Sequence, residues 1–144
     1  MLTVSVTKDY LLIPVKLRAP KLLLTVFSAE DREKKLYEWE TPFPRAGEEP
    51  DYSVAVPVRR HRGETLLVCG SLPDEELARI TLADERPAPA PGRPVIHFSP
   101  ENGWLNDPNG LVRLSDGEAR MYYQYHPFGV EWGPMHWGSA SSRD

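Results

Sequence analysis

The stretch Gly103-Trp104-Leu105-Asn106-Asp107-Pro108-Asn109-Gly110 decides how the rest of the chain is read. It combines a bulky aromatic, two side-chain amides, one carboxylate, a proline and a closing glycine. Pro108 lacks a backbone N–H and biases Asp107 toward extended geometry, so the segment cannot run far as a helix or a central strand. Asn109 and Gly110 both tolerate positive φ, which predicts a tight turn. Asp107 is therefore expected at the end of an extended piece, just before that turn, with its carboxylate at a rim and not in a core. A hairpin turn with solvated polar side chains would account for each of these residues. Two features point further. Trp104 stands two residues before Asn106, and a Trp beside polar turn residues is poor surface chemistry unless it lines a site. The thirty residues that follow also hold more aromatic and amide groups than a turn and its strands require.

Those residues include Met121-Tyr122-Tyr123-Gln124-Tyr125-His126-Pro127-Phe128 and Glu131-Trp132-Gly133-Pro134-Met135-His136-Trp137-Gly138, with His97-Phe98-Ser99-Pro100 upstream. Their order is His-Phe-x-Pro, Gly-Trp-x-Asn-Asp-Pro-Asn-Gly, Tyr-x-Gln-Tyr-x-Pro, Trp-Gly-x-Met-His-Trp-Gly and finally Ser-x-Asp ending at Asp144. Ordered motifs packed into about fifty residues are far more specific than one short pattern. From Val95 to Asp144 the chain resembles the start of the catalytic domain of glycoside hydrolase family 32, which contains invertases, levanases and inulinases. More weakly, the N-terminal part is similar to the small β-rich domain that precedes the catalytic domain in some levanase-like members.

The resemblance implies cleavage of a fructosyl linkage in sucrose or a fructan, with no cofactor and no metal. Retaining glycosidases use two carboxylates about 5–5.5 Å apart. Asp107 matches the family nucleophile, which attacks the anomeric carbon of fructose. Asn106 and Gln124 suit sugar hydroxyls, and Trp104 and Trp132 would form apolar walls. His97, His126 and His136 form no compact ligand motif, so packing or hydrogen-bonding support is their expected role. Ser139 replaces a histidine found in many relatives. The family's transition-state-stabilising Arg-Asp-Pro and acid/base Glu-Cys motifs have no counterpart; Glu101, Asp116, Glu118, Glu131 and Asp144 do not match them. A nucleophile without its acid loses several orders of magnitude in rate, so the chain alone is expected to be inactive. In the fold implied by the resemblance, strands at Gly110–Leu114 and Ala119–Tyr125, joined by Ser115-Asp116-Gly117, and a third at Met135–Ser141 belong to the first blade of a five-bladed β-propeller, here incomplete.

The remaining sequence is globular in composition: 144 residues, 40% hydrophobic and 26% charged, with a net charge of −4. No basic patch favours nucleic acid or an anionic membrane surface. Fifteen prolines and ten glycines argue for short elements and many turns. Cys69 is the one cysteine, so no intrachain disulfide can form, and its apolar neighbours Leu66-Leu67-Val68 predict a buried, inert thiol. Met1 is followed by alternating Leu2, Val4 and Val6 instead of a basic start and an apolar run, and no stretch reaches the ~20 apolar residues of a membrane span. Taken literally this places the chain inside the cell. Many members of the similar family act outside it, so a trimmed N-terminus is the competing reading.

Residues 1–85 read as a small antiparallel β-sandwich. Strands are expected at Leu2–Thr7, Tyr10–Leu17, Leu22–Phe27, Lys35–Trp39, Tyr52–Val58, Glu64–Cys69 and Leu77–Leu82. Pro14 suggests an edge strand or bulge in the second of these. Arg59-Arg60-His61-Arg62 reads as a solvated turn. The alternating Pro and Ala of residues 86–94 predict a semi-rigid spacer, and 95–144 the start of the catalytic domain. The whole is thus all-β. Two other classes stay open: a carbohydrate-binding or accessory module without turnover, and a structural segment poorly folded beyond Pro94.

Overall fold

A computed structural model describes residues 1–88, 92–94 and 96–143. The described chain is all-β: three antiparallel sheets, with helical structure confined to a 3-10 turn at Arg59–His61 and one α-helical turn, α1 (Asp74–Leu77). It divides into two compact units, Met1–Ala88 and Pro89–Asp144. Residues 89–91 of the expected 86–94 spacer lie outside the described residues, as do Val95 and Asp144.

The first unit holds seven strands: β1 (Leu2–Ser5), β2 (Tyr10–Val15), β3 (Lys21–Ser28), β4 (Lys35–Pro42), β5 (Tyr52–Pro57), β6 (Thr65–Cys69) and β7 (Thr81–Ala83). One sheet runs β1-β6-β3-β4 and the other β5-β2-β7. Period-two alternation sets what is buried. In the four-stranded sheet Val4 faces Leu66 across one ladder and Leu24 faces Trp39 across another, and all four are buried. In the three-stranded sheet buried Leu11 and Ile13 face buried Val56 and Val54. Val58 continues the β5 face and is fully buried. Leu77 of α1 and Ile80 beyond it complete the core.

Three expectations for this unit are revised. The stretch Leu77–Leu82 is not one strand: Pro73 stands at the N-cap of α1, and extended structure resumes only at Thr81. β2 is not an edge strand but the middle strand of its sheet. Pro14 is tolerated because β7 pairs only with Tyr10, Leu11 and Leu12, which leaves no ladder on the β7 side at Pro14. Cys69 is half-exposed, not buried. The Arg59–Arg62 cluster is committed within the unit. Arg62 bridges Asp9 at 2.9 Å and Asp84 at 3.2 Å, and the Arg60 guanidinium lies over the Tyr37 ring.

The second unit is one sheet of three strands, β8 (Trp104–Arg113), β9 (Ala119–His126) and β10 (His136–Ser142), with β9 in the middle. The hairpin turn expected at Ser115-Asp116-Gly117 is present: the Leu114 amide donates to the Glu118 carbonyl and the Gly117 amide to that of Leu114. Its core is small, with Tyr123, His126 and Phe128 buried. Gly138 of β10 lies under the Tyr123 ring, where a Cβ would collide with the ring carbons. His126 is enclosed in the same way by Gly129 and Gly133, which leave room for its imidazole.

Candidate active site

The turn expected at Asn109-Gly110 does not form. β8 continues through it as an edge strand, and the unusual backbone is absorbed by two register shifts against β9, one between Asn106 and Pro108 and one between Asn109 and Val112. Asp107 is the extra residue of the first shift. Asn106 pairs with Gln124 and Pro108 with Tyr123, so Asp107 has no opposite number. Nor is it extended, as the following proline led us to expect; its φ is +34°. Bulges of this kind ordinarily give the left-handed position to glycine. The positive-φ tolerance of Gly110 (φ +57°) serves the second shift and not a turn. The sequence held the correct information, that this backbone must depart from regular extension, but a bulge and a turn draw on the same residues.

Register brings the expected site residues together in part. Asn106 and Gln124 are direct cross-strand partners, so their side chains share one face of the sheet, and Asp107 follows Asn106 in the bulge. Neither amide side chain hydrogen-bonds any other described residue, and none binds the Asp107 carboxylate, which is exposed. Trp104 opposes His126 at the start of β8 and is 37% exposed. Trp132 lies in the loop before β10 and is 71% exposed. Trp137 belongs to the Trp-Gly-x-Met-His-Trp-Gly motif. It pairs with Gln124 from the other side, which completes a row Asn106–Gln124–Trp137 across three strands, and it is 69% exposed. Antiparallel register, which spacing alone does not fix, was the signal needed to find it.

The histidines differ. His97 is exposed, His126 is buried by packing, and His136 is half-buried at the start of β10. Burial lowers the His136 pKa below its ordinary 6.5, with backbone hydrogen bonds to Pro134 and Tyr125 opposing. Among the described residues no group of three or more His, Cys, Asp or Glu side chains could hold a metal ion. Ser139 is exposed opposite Tyr122. Asp144 lies outside the described residues. Glu118 does not serve as a second carboxylate for Asp107. It stands six residues before Gln124 on the hairpin, about 20 Å along an extended strand, and it is engaged by Arg120 at 2.6 Å and Arg143 at 3.3 Å.

Comparison with known proteins bears on this unit. Residues 97–144 match the model for the glycosyl hydrolases family 32 N-terminal domain. The chain is 60% identical over 52 residues to a levanase of Bacillus subtilis, covering 36% of this chain and 8% of that protein. It is 57% identical over 51 residues to a sucrose-6-phosphate hydrolase of Zymomonas mobilis, covering 35% and 10%, and 48% identical over 54 residues to an extracellular exo-inulinase of Aspergillus niger, covering 38% and 10%. These matches thus take in 8–10% of each relative's length. A solved family 32 glycoside hydrolase from Bifidobacterium adolescentis aligns over 99% of this chain and 25% of its own, at 24% identity and a TM-score of 0.39. Residues 97–144, the segment that carries Asp107, are thus similar to the N-terminal domain of glycoside hydrolase family 32.

Proposed function

We propose that the protein carrying this chain hydrolyses β-fructosidic bonds in sucrose or in fructans such as levan or inulin, by a retaining mechanism through a covalent fructosyl-enzyme. Asp107 is the nucleophile. Asn106 and Gln124 bind sugar hydroxyls, and Trp104 and Trp132 wall the ring. The observation that carries this reading is the join of β8 and β9. Two uncommitted amides face each other there beside a carboxylate held out of register by a bulge. A polyol needs groups that both donate and accept, and a nucleophilic carboxylate needs open access to the anomeric carbon.

In this reading the second unit is the first blade of a five-bladed propeller, and the first unit is a small sandwich-like accessory domain. The distribution of apolar surface supports it. Among the described residues of the first unit, the exposed large hydrophobics are Met1 and Leu23. The second unit, with fewer residues, exposes Ile96, Phe98, Trp104, Leu111, Val112, Tyr122, Val130, Trp132 and Trp137. A sheet with that much open apolar surface is built to be covered by further structure. The acid/base and the transition-state-stabilising carboxylate lie outside this chain, so the chain alone is inactive.

The test is fructose release from sucrose, levan and inulin by the 144-residue chain, by the full-length protein and by its Asp107→Asn variant. Turnover by the full-length protein, a loss of at least about 10³-fold on Asp107→Asn and none by the chain alone are expected. Wild-type turnover in Asp107→Asn would sink the assignment. The exposed Trp132 and Trp137 favour a second reading, a carbohydrate-binding module. Saturable fructan binding by a full-length protein that releases no fructose would select it.

A further inference from the structure

Asn109 has no role in the reading above, yet its side chain makes one specific contact: the Nδ2–H donates to the main-chain carbonyl of Asp107 at 2.7 Å. That contact ends on the carbonyl of the one residue of β8, glycine aside, whose φ is positive. Among the described non-glycine residues only Arg18 and Asp107 have positive φ. An L-residue held in that region is disfavoured by roughly 1–3 kcal/mol and persists only where its surroundings enforce it. Three constraints converge on Asp107. Upstream, Asn106 is locked in register with Gln124. Downstream, Pro108 has a fixed φ, and Asn109 is in register with Tyr122, whose ring packs against Gly110. Between these anchors the Asn109 amide closes a link back over Pro108 to the Asp107 carbonyl.

We propose that Asn109 is a positioning residue for Asp107: by donating to the Asp107 carbonyl it holds the bulge that aims the carboxylate. The inference rests on the reading of Asp107 as nucleophile and extends it to a residue that never touches the substrate. Ordinary turn chemistry does not account for the contact, because the chain makes no turn here. The strand runs on to Arg113. The role needs a donor at 109. An ionised Asp of the same shape has none, and would bring a second negative charge toward both the carbonyl and the nucleophile.

The test measures kcat and KM on sucrose, and thermal midpoints, for full-length protein carrying Asn109→Asp, Asn109→Ala or Asp107→Asn. Misplacing a reacting group by about 1 Å can cost on the order of 10²-fold in rate. Asn109→Asp and Asn109→Ala should therefore lower kcat by about 10- to 100-fold, with KM within roughly threefold and the folded state retained. A merely structural residue would lower the thermal midpoint and leave the kcat of the folded fraction unchanged. Wild-type kcat in both Asn109 variants, with Asp107→Asn inactive, would overturn the positioning role and leave the nucleophile standing. Full turnover in Asp107→Asn would overturn the nucleophile itself. Failure of both Asn109 variants to fold would make Asn109 a structural residue and overturn the inference.

Discussion

Thr41 carries a fully buried hydroxyl whose Oγ1 has no hydrogen-bond partner among the described residues. A buried, unpaired polar atom loses its water without compensation, whereas an apolar group of the same shape does not. Thr41→Val is therefore expected to stabilise the first unit by about 1–2 kcal/mol, read as an upward shift of the denaturation midpoint with an unchanged m-value. No change or a loss would mean that the hydroxyl finds a partner in solution. Asp107 shows what the sequence discloses at this scale. Its candidacy as a site residue was legible, because a carboxylate between an amide and a proline is a recognisable combination. Its conformation was not. Local rules assign an extended backbone to the residue before proline, and only pairing with β9 imposes the positive φ. Asp51 illustrates a simpler case. Its carboxylate accepts from Lys16 Nζ and from the Leu17 amide, and its pKa is lowered below 3.8 by those two bonds in that order. A carboxylate depressed in the folded state contributes stability above its unfolded pKa and loses it as pH falls through the folded value. Asp51→Asn should thus flatten the acid limb of stability below about pH 4, measured by denaturation across pH 2–6.

Elements were easier to place than their roles. Alternation at Leu2–Thr7 and Tyr52–Val58, and apolar runs between turn signals elsewhere, located β1 to β6, and the turn residues after Leu114 located the β8–β9 hairpin, because burial patterning and turn chemistry are written locally. Rank within a sheet is not local: β2 reads as an edge strand from Pro14 and is the middle one, since the short β7 stops before reaching that residue. The helical turn at Asp74–Leu77 was missed because Leu77 and Ile80 bury from a helix as well as from a strand. The β9–β10 pair allows two predictions. Gly138→Ala would push a Cβ into the Tyr123 ring. Such overpacking typically costs about 1–3 kcal/mol and should separate β10 from β9, seen as faster amide exchange at Tyr123 and Ser139. His136 opens the same strand, and burial depresses its pKa below 6.5. A base depressed in the folded state favours folding above its unfolded pKa and opposes it as pH falls toward the folded one. Exchange at the start of β10 should accelerate as pH is lowered from 6.5, after correction for intrinsic rates. A His136 imidazole titrating at or above 6.5 by NMR would contradict this.

At the scale of the whole molecule the two units differ in how much of their own core they complete. The first buries Leu11, Ile13, Leu24, Leu66, Leu77 and five valines almost entirely. Each such side chain contributes about 1.5–3 kcal/mol of transfer free energy, and two sheets share the work. The second buries Tyr123, His126 and Phe128 but leaves its three tryptophans, Trp104, Trp132 and Trp137, at 37%, 71% and 69% exposure. A single three-stranded sheet has only limited means of independent stability. Limited proteolysis of the 144-residue chain should therefore yield a resistant fragment ending near Ala88, with cuts between Pro89 and Asp144 dominating at early times. A hydrophobic dye should bind the intact chain and lose most of its signal when that resistant fragment is purified. Equal resistance of both units, with no dye binding, would mean that the open apolar face is covered within the chain itself. The case for a blade that requires neighbours would then fall, even though the motif that carries Asp107 would stand.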